Sequence, residues 1–489
     1  MKATNHPQWA LDQKKPGTEL RLIRGKYYLY EYKTVYDQSR KGPRKISGKL
    51  LGSVTEKGFV PSKTRMLEKQ TVNQIESKPG CREYGVSLLV YKGFEKYLSA
   101  LEKFFPLYWK QLVVIAYCRF IYRCPLKAIP FRLNQSFLQE FFGNIKFNDK
   151  TAAVVLKSVG EQHVAMLGYM RSFIAQDEYL LMDLTHVFSN SELISLSRSG
   201  YNNQMNFDPQ INLLYLYSSK SEMPVYYRVL PGNVREVKAF RNALIEAGLN
   251  DAVIVADKGF YSKNNIELLQ QEKLKFILPL RRDNTIVDYT HIESNTFKQS
   301  DSYFEHEKRF IWYQQYPCED LSLFVYLDES LKVKEEKDYL RRIETHPEHY
   351  SLQKFHQKRN TFGTLALLTN FQFKPGADVY ETYKSRMAIE VMFDGMKNVM
   401  EADHTYMQDE QTLYGWMFVN HLTLQWYQHL YLELKEKNLL KTYSVNDYIQ
   451  MLTDLKKISI NNKWYLNEIT NHAQKMIEKI GLTIQEDNT

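Results

Sequence analysis

The stretch "DAVIVADKGFYSKNNIELLQQEKLKFILPL", Asp251–Leu280, decides the class of fold. Ala252 to Ala256 form an unbroken apolar run of strand length that ends at a carboxylate, Asp257, which predicts a strand buried on both faces. "KNNIELLQQEKL" then carries the period of an amphipathic helix, and "KFILPL" is a second buried strand. Upstream, "EYLLMDLTHVFS" (178–189) predicts a strand ending at Asp183. "INLLYLYSS" and "MPVYYRVL" predict two strands joined by the polar turn "KSE". "PGNVREVKAFRNALIEAGL" opens with turn residues and becomes a helix. The order β-β-β-α-β-α-β predicts an α/β fold, a mixed sheet covered by helices.

Around this core the pattern changes. Residues 81–175 are rich in helix formers and predict a helical domain that links or binds. From 285 to 363, alternating stretches such as "SYFEHEKRFIWYQQY" and "LSLFVYL" precede a charged helix. Because the strand-like "TLALLTN" follows, this block predicts a β-rich insertion that divides the core into 176–284 and 364–405. The apolar "TLYGWMFVNHLTLQWYQHLYLEL" and a polar tail predict a helical region over 406–489.

The net charge of +9 has one location. Between Arg21 and Arg65 there are twelve Lys and Arg against three Asp and Glu, so this segment holds the whole excess and the rest of the chain is balanced. With "KYYLYEYKTVY" and "ISGKLLGSV" separated by "DQSRKGP", residues 1–80 predict a small basic antiparallel sheet, a module for a polyanion such as DNA. Arg40, Lys41, Arg44, Lys45 and Lys49 are its candidate DNA contacts. "GPRKISGKL" is no phosphate-binding loop, because Leu50 stands where Ser or Thr is required. The most apolar stretch, "LYWKQLVVIAYCRFIYRCPL", is interrupted by Lys110, Arg119 and Arg123 and predicts a buried helix rather than a membrane span. Cys81, Cys118, Cys124 and Cys318 lie at no metal or redox spacing, as expected of thiols in a reducing cytoplasm.

"YKSRMAIEVMFDGMK", Tyr383–Lys397, brings the chemistry together. At 100° per residue, Arg386, Glu390 and Lys397 fall within about 60° of Tyr383 around a helix. A solvated i,i+4 ion pair explains Arg386 and Glu390 alone. Two core aspartates change that reading, because carboxylates brought together require a cation or a shared proton. Oxygen donors without a His or Cys cluster suit Mg²⁺, or Mn²⁺, and two such ions suit phosphodiester displacement. Tyr383, Arg386 and Lys397 then lie where a phosphate backbone passes.

The spacing Tyr383-x2-Arg386-x3-Glu390-x6-Lys397 resembles the Tyr–Arg–Glu–Lys signature of a subgroup of bacterial insertion-sequence DDE transposases. "MDLTHVFSNS", "GYNNQMNFDPQINLLYLYSSKSEMPVYYRVLPGNVREV" and "VIVADKGFYSKNNIELL" are similar to that family's other core blocks, and together they cover 178–430. The resemblance implies an RNase H-like core with Asp183, Asp257 and Glu390 as catalytic, metal-holding residues. It also implies binding of terminal inverted repeats, cleavage of the element ends, joining of the 3′-OH ends to target DNA, and a homodimer on paired ends. The expected location is the cytoplasm of a bacterial cell, on the nucleoid and with no membrane. A nuclease without strand transfer, or a catalytically silent DNA-binding derivative, are the alternatives. Asp394 competes with Glu390 on helical spacing alone. Trp312 reads as a core tryptophan, His186 as structural, and His346 and His349 as solvated.

Overall fold

A computed structural model describes residues 6–37, 41–62, 80–175 except 144 and 149, 180–200, 207–234, 237–248, 253–255, 258–293, 297–298, 302–370 and 375–484 except 483. Arg40 and Asp257 lie outside the described residues. The chain forms two compact units. One holds 1–81 with 457–467, the other 82–456 with 468–485.

In the first unit, β1 (Thr18–Ile23), β2 (Lys26–Asp37), β3 (Gly42–Thr55) and β4 (Gly58–Pro61) form an antiparallel sheet in chain order. Its core is small, made of Ala10, Leu20, Leu29, Leu51 and Val54. A second sheet begins with β5 (Gly80–Glu83).

The second unit is built on one mixed sheet. Its central strands are β6 (Leu180–Ser189), β7 (Arg198–Ser199), β8 (Pro209–Ser218), β9 (Met223–Pro231), β10 (Val253–Val255) and β11 (Lys275–Pro279). The series continues with β12 (Tyr303–His306), β13 (Arg309–Cys318), β14 (Leu321–Asp328), β15 (Thr364–Thr369) and β16 (His404–Thr405). β9, β8 and β6 are antiparallel neighbours, whereas β10 and β11 run parallel to β6. The apolar runs around positions 253 and 276 are buried, as the sequence predicts.

The block at 285–363 does not stand apart from this sheet. β15 pairs β11 on one edge and β14 on the other, so β12–β13–β14 extend the central sheet. β14 alternates between two layers: Phe324 and Tyr326 enter the main core, while Leu323, Val325 and Leu327 pack with Leu280, Val287 and Phe297. Trp312 is half-buried against that second cluster.

The helical stretches share the main core rather than forming cores of their own. The Glu410–Glu436 helix is buried on nearly every side. It lies against the Thr151–Gly160 helix so closely that a Cβ on Gly415 would come within 2.0 Å of the Leu156 carbonyl oxygen. Arg119, itself buried, donates from Nη2 to the Glu401 carbonyl at 2.9 Å and from Nε to Asn420 at 3.2 Å. The C-terminal tail departs from the helical expectation. β17 (Lys456–Ile460) and β18 (Lys463–Leu466) form a hairpin, in order β18–β17–β5. Its turn residues Asn461 and Asn462 have φ of 51° and 63°, the left-handed pair that a tight hairpin needs.

Candidate active site

Asp183 lies within β6, not at its end, and its cross-strand neighbour is Tyr215. The edge of β6 away from β8 is shared by two parallel strands. β10 pairs at Leu181 and Met182, and β16 pairs at Phe188 and Ser189. Asp183 therefore falls between them, where a side chain from another element can reach the sheet edge. That carboxylate accepts from the Leu184 backbone N–H at 2.9 Å.

The element that reaches in is the Gly376–Asp394 helix. Its start is seated by the strands of the 285–363 block. The Tyr326 hydroxyl donates to the Gly376 carbonyl at 2.7 Å, and a Cβ at position 376 would lie 2.3 Å from the Tyr313 ring. Tyr380 then packs on the rings of Tyr326 and Phe304. Only glycine admits the aromatic ring at that first helical position.

Three turns on, Arg386 joins two of the expected acids. Its Nη2 lies 3.4 Å from Asp183 Oδ2, while its Nη1 donates to Glu390 Oε1 one helical turn away. The Arg386 and Asp183 side chains are each 16% exposed and that of Glu390 is 53% exposed. The pair predicted on spacing is thus present, but Arg386 faces the sheet and ties the helix to β6. A guanidinium in this position offsets the repulsion between two carboxylates that converge from different elements.

The helical count does not extend to Lys397. After Asp394 the chain takes a π-helical turn, Gly395–Val399, so Lys397 leaves the α-helical register on which its alignment with Glu390 was predicted. It is half-buried, and burial lowers its ammonium pKa, with the Asp403 charge opposing the shift. Tyr383 is half-buried on the same helix as Arg386. Asp394 turns elsewhere and accepts from Asn398 Nδ2 at 2.6 Å, so it does not compete for Arg386. His186 stacks edge-on against Phe188, and the His349 side chain is 76% exposed.

Beneath the site lies a residue that the sequence reading missed. His421, on the Glu410–Glu436 helix, is fully buried between the rings of Tyr215 and Tyr227, at 5.9 and 5.1 Å. Neither ring nitrogen has a hydrogen-bond partner among the described residues, and burial lowers the imidazole pKa to about 3. The unfolded imidazole titrates near 6.5, so between these values the unfolded chain binds a proton that the native state refuses. This contribution is complete above pH 6.5 and is lost as the pH falls toward 3, with about 2 kcal/mol gone by pH 5. Urea unfolding from pH 7 to 5 is expected to show that slope, and His421→Leu to flatten it. An equal slope in the variant would assign the dependence to other groups, His429 among them, whose pKa burial lowers to about 4.

Among the described residues, no three His, Cys, Asp or Glu side chains gather at metal-binding distance. Two do converge on one cation, and both offer hard carboxylate oxygens, a donor set that fits Mg²⁺ or Mn²⁺.

With the fold and the geometry of this acid pair described, comparison with known proteins names the family. Residues 181–426, half of the chain, match the transposase DDE domain, and the chain belongs to that family. Among solved structures, it is similar to the piggyBac transposase in a cryo-EM synaptic complex with hairpin DNA. The identity is 12% and the TM-score 0.36, over 77% of this chain and 82% of that one. No curated protein sequence matches it. Among the described residues, no helix is long and apolar enough to cross a membrane.

Proposed function

We propose that this transposase binds the terminal inverted repeats of its own element, cuts the ends, and joins the freed 3′-OH ends to target DNA, working as a homodimer on paired ends in a bacterial cytoplasm. The observation that carries this reading is the convergence of Asp183 and Glu390 from a strand and a helix onto Arg386. The strand order β9–β8–β6–β10–β11, antiparallel and then parallel, supports an RNase H-like core. Asp183 and Glu390, with Asp257, would hold two divalent ions, which supply stabilisation of the attacking and leaving oxygens of the phosphodiester. Arg386, beside both carboxylates, would offer the DNA backbone a planar guanidinium suited to two hydrogen bonds with a phosphate. Tyr383, on the same helix, and Lys397, on the π-helical turn that follows it, are further candidate DNA contacts. Lys41, Arg44, Lys45 and Lys49, in and beside β3, hold DNA, the lysines through its phosphates.

The test uses purified protein, a labelled duplex carrying the element's end and a supercoiled target, with Mg²⁺ or with EDTA. Mg²⁺-dependent nicking followed by joined products is the expected result. Nicking that never proceeds to joining would replace this reading with a nuclease, and binding alone would replace it with a silent derivative.

A further inference from the structure

In the basic sheet, β1 pairs β2 only over Lys26–Glu31 and β4 pairs β3 only over Gly52–Thr55. Beyond those ladders, residues 32–37 and 42–47 pair with each other, and Tyr32 N–H also donates to the Gly17 carbonyl at 2.9 Å. Residues 43–50 are eight consecutive exposed positions in one strand, so both faces of this stretch are solvated. Two register shifts, between Leu29 and Tyr30 and between Tyr30 and Tyr32, separate it from the half that carries Leu29, Leu51 and Val54 in the core. Bulges of this kind bend a strand and re-aim it. The result is a two-stranded ribbon, about 20 Å long at 3.4 Å per residue, that joins none of the hydrophobic clusters among the described residues.

The register sorts its side chains. Tyr32, Thr34, Tyr36, Lys45 and Ser47 share one face, where the Lys45 ammonium lies 4.6 Å from the centre of the Tyr32 ring. Lys33, Val35, Arg44 and Ile46 share the other, with Arg44 3.5 Å from Asp37. On that second face, Val35 and Ile46 are diagonal neighbours across the strands, 48% and 50% exposed, with a cation opposite each. Between Glu31 and Lys49, the described residues carry five Lys or Arg and two Asp or Glu, so a second copy of the ribbon is repelled and a polyanion is attracted.

We infer that this ribbon enters the major groove of duplex DNA with the Lys33–Val35–Arg44–Ile46 face toward the bases. The inference rests on the DNA-binding reading above and adds which element reads sequence and in which groove. B-form DNA has a major groove about 12 Å wide that admits a two-stranded ribbon. The corresponding groove of double-stranded RNA is too narrow for side chains to read. In the major groove, thymine presents a methyl group that apolar side chains contact, and guanine presents a pair of acceptors that suits arginine. The face offers both kinds of partner, with Lys33 placed for a flanking phosphate.

The experiment uses the full chain and a pool of random 25-base-pair duplexes from which preferred sites are selected and sequenced. The best duplex is then remade with uracil for thymine, which removes only the major-groove methyl. The parent is expected to lose three- to tenfold in affinity on the uracil duplex. A Val35→Asn, Ile46→Asn protein removes the methyl-bearing side chains at two exposed positions, and an unchanged circular dichroism spectrum shows that the ribbon is kept. This variant is expected to bind the thymine duplex about as weakly as the parent binds the uracil one, with no further loss. Lys33→Gln should instead weaken binding to every sequence and lower the salt slope by about one. Equal binding of both duplexes by the parent, or equal uracil losses in parent and variant, would overturn the ribbon inference while leaving DNA binding intact. A parent that binds no duplex would overturn both.

Discussion

Asp183→Asn and Glu390→Gln proteins are expected to bind the element's end as tightly as the parent and to cut it at least about a hundredfold more slowly. Even the outer partners of metal ligands are worth ten- to a hundredfold, and these substitutions remove a hard anionic donor itself. Each amide keeps the shape of the acid it replaces and still accepts from Arg386, so the link from the helix to β6 survives in weakened form. Binding is spared because the basic ribbon belongs to the other unit. The measurement is single-turnover cleavage beside a binding isotherm in Ca²⁺ or EDTA. Cleavage at the parent rate in either variant would remove that residue from the catalytic set. Parallel loss of cleavage and binding would assign it to structure.

The second large effect concerns Arg386. Without added metal, Arg386→Gln leaves the largely buried Asp183 carboxylate beside Glu390 with its guanidinium partner gone. Breaking a half-buried pair in this way costs about 2 kcal/mol, more than an exposed surface bridge, which lowers the melting temperature by several degrees. Millimolar Mg²⁺ should restore the variant and raise its melting temperature more than the parent's, because in the parent the ion must first displace a charge already in place. Arg386→Lys keeps the charge as a compact ammonium that cannot bridge both acids, and should fall between the two. Equal Mg²⁺ shifts in parent and glutamine variant would show that Arg386 and the ion do not share a place.

Legibility in the sequence followed the range over which each feature is determined. The strands β6, β8, β9, β10 and β11 are apolar runs of strand length between turn residues, and they lie where the runs lie. Arg386 and Glu390 were legible because a single helical turn joins them. That Arg386 also reaches Asp183 was not, since it depends on packing between elements 203 positions apart. The joining of β12–β14 to the core sheet was hidden for the same reason. The alternating pattern shows strands but does not say which edge they pair with. The π-helical turn has little local signature apart from Gly395. The β17–β18 hairpin is different, because "SINNKWYL" carries a two-asparagine turn between alternating residues, a signal that the reading of a helical tail passed over.

The ladder of the basic ribbon closes between residues fewer than thirty positions apart, whereas Asp183 and Glu390 are separated by 207. A ribosome adding about 5–20 residues per second delivers the ribbon well before the glutamate arrives, by an interval on the order of half a minute. Local pairing also forms faster than pairing that must first close a long loop. If the ribbon holds DNA as proposed, a chain still being made can grip nearby DNA before Asp183 and Glu390 meet.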